Sequence, residues 1–180
     1  MTGLGFATGT TYHRMRIDHT GPVAAAKVPA DIVVRRGAFD DASRRAAHGV
    51  LIASFRGQFG FVPRPHEVWI EEREARATFD WSQLTVLEVN RRAVAIRACS
   101  DEYVETENCG YIDMLGVVER FRGRGLATFL LHDAFALDAA AGRTGTIVHV
   151  DTNTPTHALR LYHSAGMTTS TAPRRTLPVT

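Results

Sequence analysis

The sequence predicts one α/β domain, because apolar runs typical of strands alternate with apolar residues at helical spacing along most of its 180 residues. Two segments carry this prediction. Residues 111–136 read as a strand, a turn rich in glycine and arginine, and a helix, while residues 84–98 read as the two strands of a hairpin. Since 44% of the residues are hydrophobic, the chain can bury a full core.

The first thirty residues differ in composition from the rest. Residues 11–19 alternate as a strand does, and Pro22 and Pro29 mark a linker after them. We therefore expect residues 1–30 to be an N-terminal strand and linker, and residues 31–180 to be the main domain.

The main domain is predicted to continue in alternating elements. A short strand at 32–35 precedes a helix from Asp41 to Phe55 with one apolar stripe, and a loop at 57–65 precedes a second helix from His66 to about Arg76. After the hairpin come an acidic stretch at 101–107, the strand and helix of 111–136, and a strand at 146–151. A helix opened by Thr154 and Pro155 ends before Gly166, and residues 168–180 contain a candidate last strand.

Composition excludes several classes of partner. The net charge of +2 comes from nearly balanced acids and bases, which predicts no nucleic-acid partner. No apolar run could span a bilayer and no leader-like segment is visible, so we expect no membrane partner and a cytoplasmic protein. The two cysteines lack Cys-x-x-Cys spacing and the eight histidines lack ligand spacing, so no metal is predicted.

The turn between the central strand and its helix has the properties of an anion site. Gly123 and Gly125 allow positive φ and close backbone approach, and the first N–H groups of the helix point outward, where its dipole favours negative charge. Three arginines, Arg120, Arg122 and Arg124, add donors suited to phosphate oxygens. The sequence lacks the lysine of a Walker loop and the third small residue of a dinucleotide fingerprint, so neither of those phosphate loops fits.

This segment resembles motif A of the GNAT N-acetyltransferase superfamily, on Arg122, Gly125 and Ala127. Ala158, Tyr162 and Gly166-Met167 resemble motif B of the same superfamily, with Met in place of the usual Phe. One departure is that Pro155 stands where the family often has Asn, and Asn153 lies two residues earlier. The resemblance implies the GNAT acyl-CoA N-acyltransferase fold: a mixed, mostly antiparallel sheet flanked by helices and split between the central strand and strand 146–151.

The resemblance further implies that the chain transfers an acetyl group from acetyl-CoA to a primary amine of a small molecule or peptide. The loop and the helix start would hold the pyrophosphate, and the central strand would pair with the pantetheine arm. The residues assigned to the cofactor on this basis are Leu115, Gly116, Val117, Arg122, Gly123, Arg124, Gly125, Leu126, Ala127 and Thr128.

Three side chains are candidates for proton transfer. Tyr162 occupies the position that, by family resemblance, protonates the leaving thiolate, and the backbone N–H of Val117 would meet the carbonyl oxygen. Alternation puts Tyr111, Asp113 and Leu115 on one face of the central strand, which makes Asp113 a candidate base. Glu105, in the acidic stretch, is a second candidate for the same role.

The alternative is a CoA-binding unit without catalysis. Leu4-Gly5-Phe6 and the strand after it resemble the closing hairpin of a GNAT unit, as if residues 1–30 were the remnant of a preceding unit in a mycothiol synthase-like tandem. An N-terminal extension of no special origin fits these residues equally well. A homodimer is also compatible with the resemblance.

Overall fold

A computed structural model of the chain describes residues 12–58, 60–151 and 157–170. These residues form seven strands and five helices. In chain order they are β1 (Tyr12–Asp18), β2 (Val33–Arg36), α1 (Asp41–Phe55), α2 (His66–Glu74), β3 (Leu84–Val89), β4 (Arg92–Ser100), α3 (Val104–Glu107), β5 (Cys109–Val117), α4 (Leu126–Ala140), β6 (Gly145–Asp151), α5 (His157–Ser164) and β7 (Thr168–Thr169).

The seven strands make one sheet in the order β2-β3-β4-β5-β6-β1-β7. Only β5 and β6 are parallel among the described pairs, and every other neighbouring pair is antiparallel. Such a parallel pair needs a crossover, which α4 supplies. The predicted mixed, mostly antiparallel sheet flanked by helices is confirmed.

The strand from the N-terminal segment is hydrogen-bonded inside this sheet. β1 pairs with β6 over its whole length, from Tyr12 opposite Asp151 to Asp18 opposite Gly145, and with β7 on its other side. Its Met15 is fully buried in the cluster that also contains α4 and α5. In the linker that follows, Val23, Ala26 and Ile32 pack against clusters that include α4. The described part of the linker therefore returns across the α4 side of the sheet.

The local sequence signals for the other elements are mostly confirmed. Helix α1 begins and ends at the predicted residues, and the Asp40 side chain caps it by accepting a hydrogen bond from the Ser43 N–H. Helix α2 ends at Glu74, two residues before the predicted end. The acidic stretch at 101–107 contains the short helix α3. The predicted helix start at Thr154-Pro155 and the last strand beyond residue 170 lie outside the described residues.

A buried ion-pair network joins α4 to the sheet. Arg97 of β4 is only 2% exposed, and its guanidinium donates to the Leu130 carbonyl oxygen at 2.7 Å, to Asp133 Oδ2 at 2.7 Å and to Thr85 Oγ1 at 3.0 Å. Arg36 of β2 donates to both oxygens of Asp133, at 2.6 and 2.8 Å. Burial works to raise the pKa of Asp133, but the two guanidinium groups outweigh it and the pKa lies below its usual value.

We predict that Asp133→Ala lowers the free energy of unfolding by about 3–5 kcal/mol, because it leaves the buried Arg97 charge without its carboxylate. The matched control is Asp18→Ala, which removes an exposed carboxylate paired with Arg16 and should cost at most about 1 kcal/mol. Urea unfolding followed by circular dichroism measures both. Equal losses in the two variants would show that the buried network contributes no more than a surface ion pair.

Candidate functional site

The sheet opens between its two parallel strands. β5 and β6 pair from Cys109 opposite Gly145 to Ile112 opposite Val148, and no described pair joins them beyond that point. Both strands nevertheless continue, β5 to Val117 and β6 to Asp151. The two ends that no longer pair form a split in the sheet, as the resemblance implies, and the loop that follows β5 lies at its end.

The loop after β5 leads to an open helix N-terminus. Gly123 and Gly125 adopt φ of 73° and 76°, a left-handed conformation in which a side chain is strained, and no atom would contact a Cβ at either position. Gly125 is the N-cap of α4 and supplies no side-chain hydrogen bond. Since the first helical bond runs from Phe129 N to the Gly125 oxygen, the N–H groups of the three preceding residues, Leu126, Ala127 and Thr128, have no partner within the helix.

The arginines of this loop divide into two roles. Arg122 donates from Nε to the Val117 carbonyl oxygen at 3.1 Å and from Nη2 to the Ser54 carbonyl oxygen at 3.0 Å, so its side chain joins the loop to β5 and α1. Arg120 and Arg124 place their guanidinium carbons 5.0 Å from the centre of the Phe121 ring. Arg120 and Arg124, like Arg122, are exposed, and the loop therefore places three positive charges before the open N-terminus of α4.

The central strand carries an irregularity that sequence alternation misses. The register of β4 and β5 shifts where Ala98 pairs with Met114 and Cys99 with Ile112, which leaves Asp113 as an extra residue. Beyond this bulge Leu115 packs with α4 residues while Met114 packs with α1 and α2. The expectation that Asp113 and Leu115 share one face is therefore wrong.

Gly116 and Val117 lie at the end of β5 nearest the loop. A Cβ on Gly116 would lie 2.9 Å from Ser54 Cβ and 3.0 Å from the Phe55 ring, so close packing of α1 requires glycine there. Val117 packs in the cluster that contains Leu126, and its carbonyl oxygen accepts from Arg122. Both residues thus join the loop to the sheet.

Tyr162 of α5 lies in the apolar cluster beside the split. The cluster contains Met15 of β1, Val148 and Val150 of β6, and Met167. Burial raises the pKa of Tyr162 to about 12, so the phenol is protonated and can donate at neutral pH. Asn153 and Pro155, where the sequence departs from the family motif, lie outside the described residues.

The two candidate bases lie in different surroundings. Asp113 forms a buried ion pair with Arg73 of α2 and accepts from Arg76 at 3.2 and 3.3 Å, so both of its oxygens are engaged by guanidinium groups. Glu105 is exposed on α3, which precedes the start of β5. Because β5 rises about 3.3 Å per residue, its two ends are about 26 Å apart. Glu105 therefore lies at the end of β5 opposite the loop.

Sequence reasoning missed a group of rings at the start of the split. The His149 ring of β6 lies 5.3 Å from the Tyr111 ring and 5.8 Å from the Tyr103 ring, and its Nε2 is 3.4 Å from the Tyr103 hydroxyl. Arg14 of β1 stacks over Tyr103 at 5.2 Å. The alternation of side chains along residues 146–151 is the signal that could have placed His149 on the other face of the sheet from Val148 and Val150.

Within 12–58, 60–151 and 157–170, no three His, Cys, Asp or Glu side chains come together as a metal site. Over the same ranges, no helix combines the length and apolar character needed to cross a bilayer.

Solved structures of acetyltransferases share this fold. A GCN5-related N-acetyltransferase from Sphaerobacter thermophilus superposes with a TM-score of 0.73 at 25% identity, covering 92% of this chain and 50% of that one. A protein of the GNAT family from Novosphingobium aromaticivorans superposes with a TM-score of 0.60 at 19% identity, over 94% of this chain and 66% of that one. An aminoglycoside acetyltransferase from an uncultured soil metagenomic sample, in complex with sisomicin, gives 0.60 at 16% identity, over 83% and 95%.

The present chain thus spans half the length of the Sphaerobacter protein. No curated protein is similar enough in sequence to match it. A family model, however, covers most of the site: the acetyltransferase (GNAT) family matches residues 51–167, from the second half of α1 to the residue before β7. The match, the split sheet and the open N-terminus of α4 agree, and the chain belongs to the GNAT family of acetyltransferases.

Proposed function

We propose that the chain is an N-acetyltransferase that transfers an acetyl group from acetyl-CoA to a primary amine. The observation that carries the proposal is the open N-terminus of α4 beside the split in the sheet, flanked by Arg120 and Arg124. Helix N-termini with free N–H groups favour phosphate anions. Membership of an acetyltransferase family supplies the reaction class.

The residues of this chain fit the cofactor. The N–H groups of Leu126, Ala127 and Thr128 would meet the pyrophosphate, and Gly123 and Gly125 leave space for its close approach. Arg122 would hold the loop in place through its two main-chain hydrogen bonds, with Arg124 supplying charge. The end of β5 that is paired with β4 but not with β6, at Leu115, Gly116 and Val117, would align the pantetheine arm. Acetyl-CoA, when bound, supplies an acyl group activated as a thioester.

Tyr162 would act as the acid that protonates the departing sulfur. Its phenol is protonated at neutral pH, and it packs against Val148 and Val150 at the split. A backbone N–H of β5, at Val117, would stabilise the charge that develops on the carbonyl oxygen. The acceptor is an amine of a small molecule or a peptide terminus, and a panel of glucosamine, sisomicin and a peptide with a free α-amine samples these chemical types.

The proposal predicts that Gly125→Glu lowers the affinity for acetyl-CoA at least about tenfold, equivalent to about 1.4 kcal/mol, because it puts a carboxylate where the pyrophosphate would bind. The matched control is Gly142→Glu. Gly142 lies just after the other end of α4 with φ of 75° and equally open surroundings, so the backbone strain is the same. Isothermal titration calorimetry should find the control within about twofold of the native affinity. Equal losses in both variants would refute the assigned phosphate site.

The proposal also predicts that Tyr162→Phe lowers kcat by about 100-fold or more, since general acid catalysis contributes about 10²–10⁴. The dissociation constant for acetyl-CoA should remain unchanged. Tyr12→Phe, at an exposed tyrosine of β1, is the control and should keep full activity. Thiol release is followed with the amine of the panel that gives the highest turnover.

These measurements also separate the enzyme from a CoA-binding unit without catalysis. Acetyl-CoA binding without acetylation of any amine in the panel would favour the CoA-binding unit without catalysis. A native protein that neither binds acetyl-CoA nor shows a rise in melting temperature with it would overturn both.

A further inference from the structure

The position of His149 in β6 suggests a catalytic role beyond packing. The last β5–β6 pair joins Ile112 to Val148, so His149 is the first residue of β6 past the point where the strands part. It is only half-buried, unlike Val148 and Val150 on either side of it. Its ring therefore lies at the start of the split, where a group bound between the two strands would be within its reach.

Tyr162 and His149 lie on opposite faces of the sheet. Val148 and Val150 pack in one cluster with Tyr162 and α4 residues. Since successive side chains of a strand point to opposite faces, His149 points away from that cluster. Its contacts with Tyr111 and Tyr103 agree with this placement, because neither tyrosine belongs to the cluster. A donor bound in the split would thus have a phenol on one side and an imidazole on the other.

The surroundings of His149 keep the imidazole neutral. Burial lowers its pKa, the positive charge of Arg14 lowers it further, and Glu102 acts in the opposite direction. The rings of Tyr111 and Tyr103 also contact it, and burial raises the pKa of Tyr111, which keeps that phenol neutral. A neutral imidazole can accept a proton, as a general base requires.

The two carboxylates that the sequence offers as candidate bases are less suited to the same role. Asp113 already accepts from Arg73 and Arg76, and a proton on it would disrupt two ion pairs. Glu105 lies at the far end of β5.

We propose that His149 is the general base that takes the proton from the attacking amine. This role rests on the proposed acetyltransferase function. The amine nitrogen would form the new C–N bond to the acyl carbon, and the C–S bond would break with its electron pair going to sulfur. His149 would hold the proton lost by nitrogen, and Tyr162 would provide the proton that sulfur gains. Exchange with water then restores both side chains.

The test combines kinetics with a readout independent of turnover. Three proteins are compared: native, His149→Gln, and His132→Gln as the control, because His132 is exposed on α4. For each, kcat is measured from pH 5 to 9 with saturating acetyl-CoA and the best amine of the panel. The imidazole signals are followed by NMR over the same range, and the His149 signal is the one that His149→Gln lacks.

The native enzyme should lose kcat as pH falls through a pKa below 6.5, since the base is active only when neutral. The His149 signal should titrate with that same pKa. His149→Gln should lower kcat by about 100-fold or more and abolish this limb of the profile, with acetyl-CoA affinity unchanged. His132→Gln should behave as the native protein does.

Three results would overturn the role of His149 while leaving the proposed function intact. The first is a native pH profile in which kcat does not fall at low pH. The second is a His149 NMR titration whose pKa differs from that of the fall in kcat. The third is a His149→Gln variant that turns over at the native rate. The first two use the native protein for activity, so they apply even if the variant is unstable. Absence of any native turnover would instead count against the proposed function itself.

Discussion

The position of the candidate site depends on the buried guanidinium of Arg97 and its hydrogen bonds to α4. Arg97 has almost no contact with water, so its guanidinium must be satisfied inside the protein, and α4 supplies both the Leu130 carbonyl oxygen and the Asp133 carboxylate. These bonds fix the height and rotation of α4 against β4. The open N-terminus of that helix begins one turn before Leu130, so its place beside β5 follows from the same bonds.

Both faces of the split depend on elements distant in the chain. On one face, Met15 of β1 packs in the cluster that holds Tyr162, and on the other, Arg14 of the same strand stacks over Tyr103 next to His149. Arg14 also forms an ion pair with Glu107 of α3, which Arg16 joins at 3.3 Å. The strand from the start of the chain is thus part of the wall of the candidate site.

Local signals in the sequence predicted the helices and strands better than they predicted the contacts between them. One apolar stripe was enough to predict α1, and the glycines around Gly125 were enough to predict the turn before α4, because both depend on neighbours in the chain. The bulge at Asp113 was not visible, since it depends on the pairing with β4, and it reversed the face of Leu115. Likewise, alternation predicted β1 as a strand but could not tell that its neighbours would be β6 and β7.

The place of β1 has a consequence for how the protein folds. Met15 pairs with Val148, so β1 is synthesised about 130 residues before its partner, on the order of ten seconds at ordinary translation rates. Until then the segment that becomes β1 cannot form its ladder with β6. Contacts of such high sequence separation also slow folding in general. The sheet can therefore close, and the wall around Tyr162 can form, only after β6 has left the ribosome.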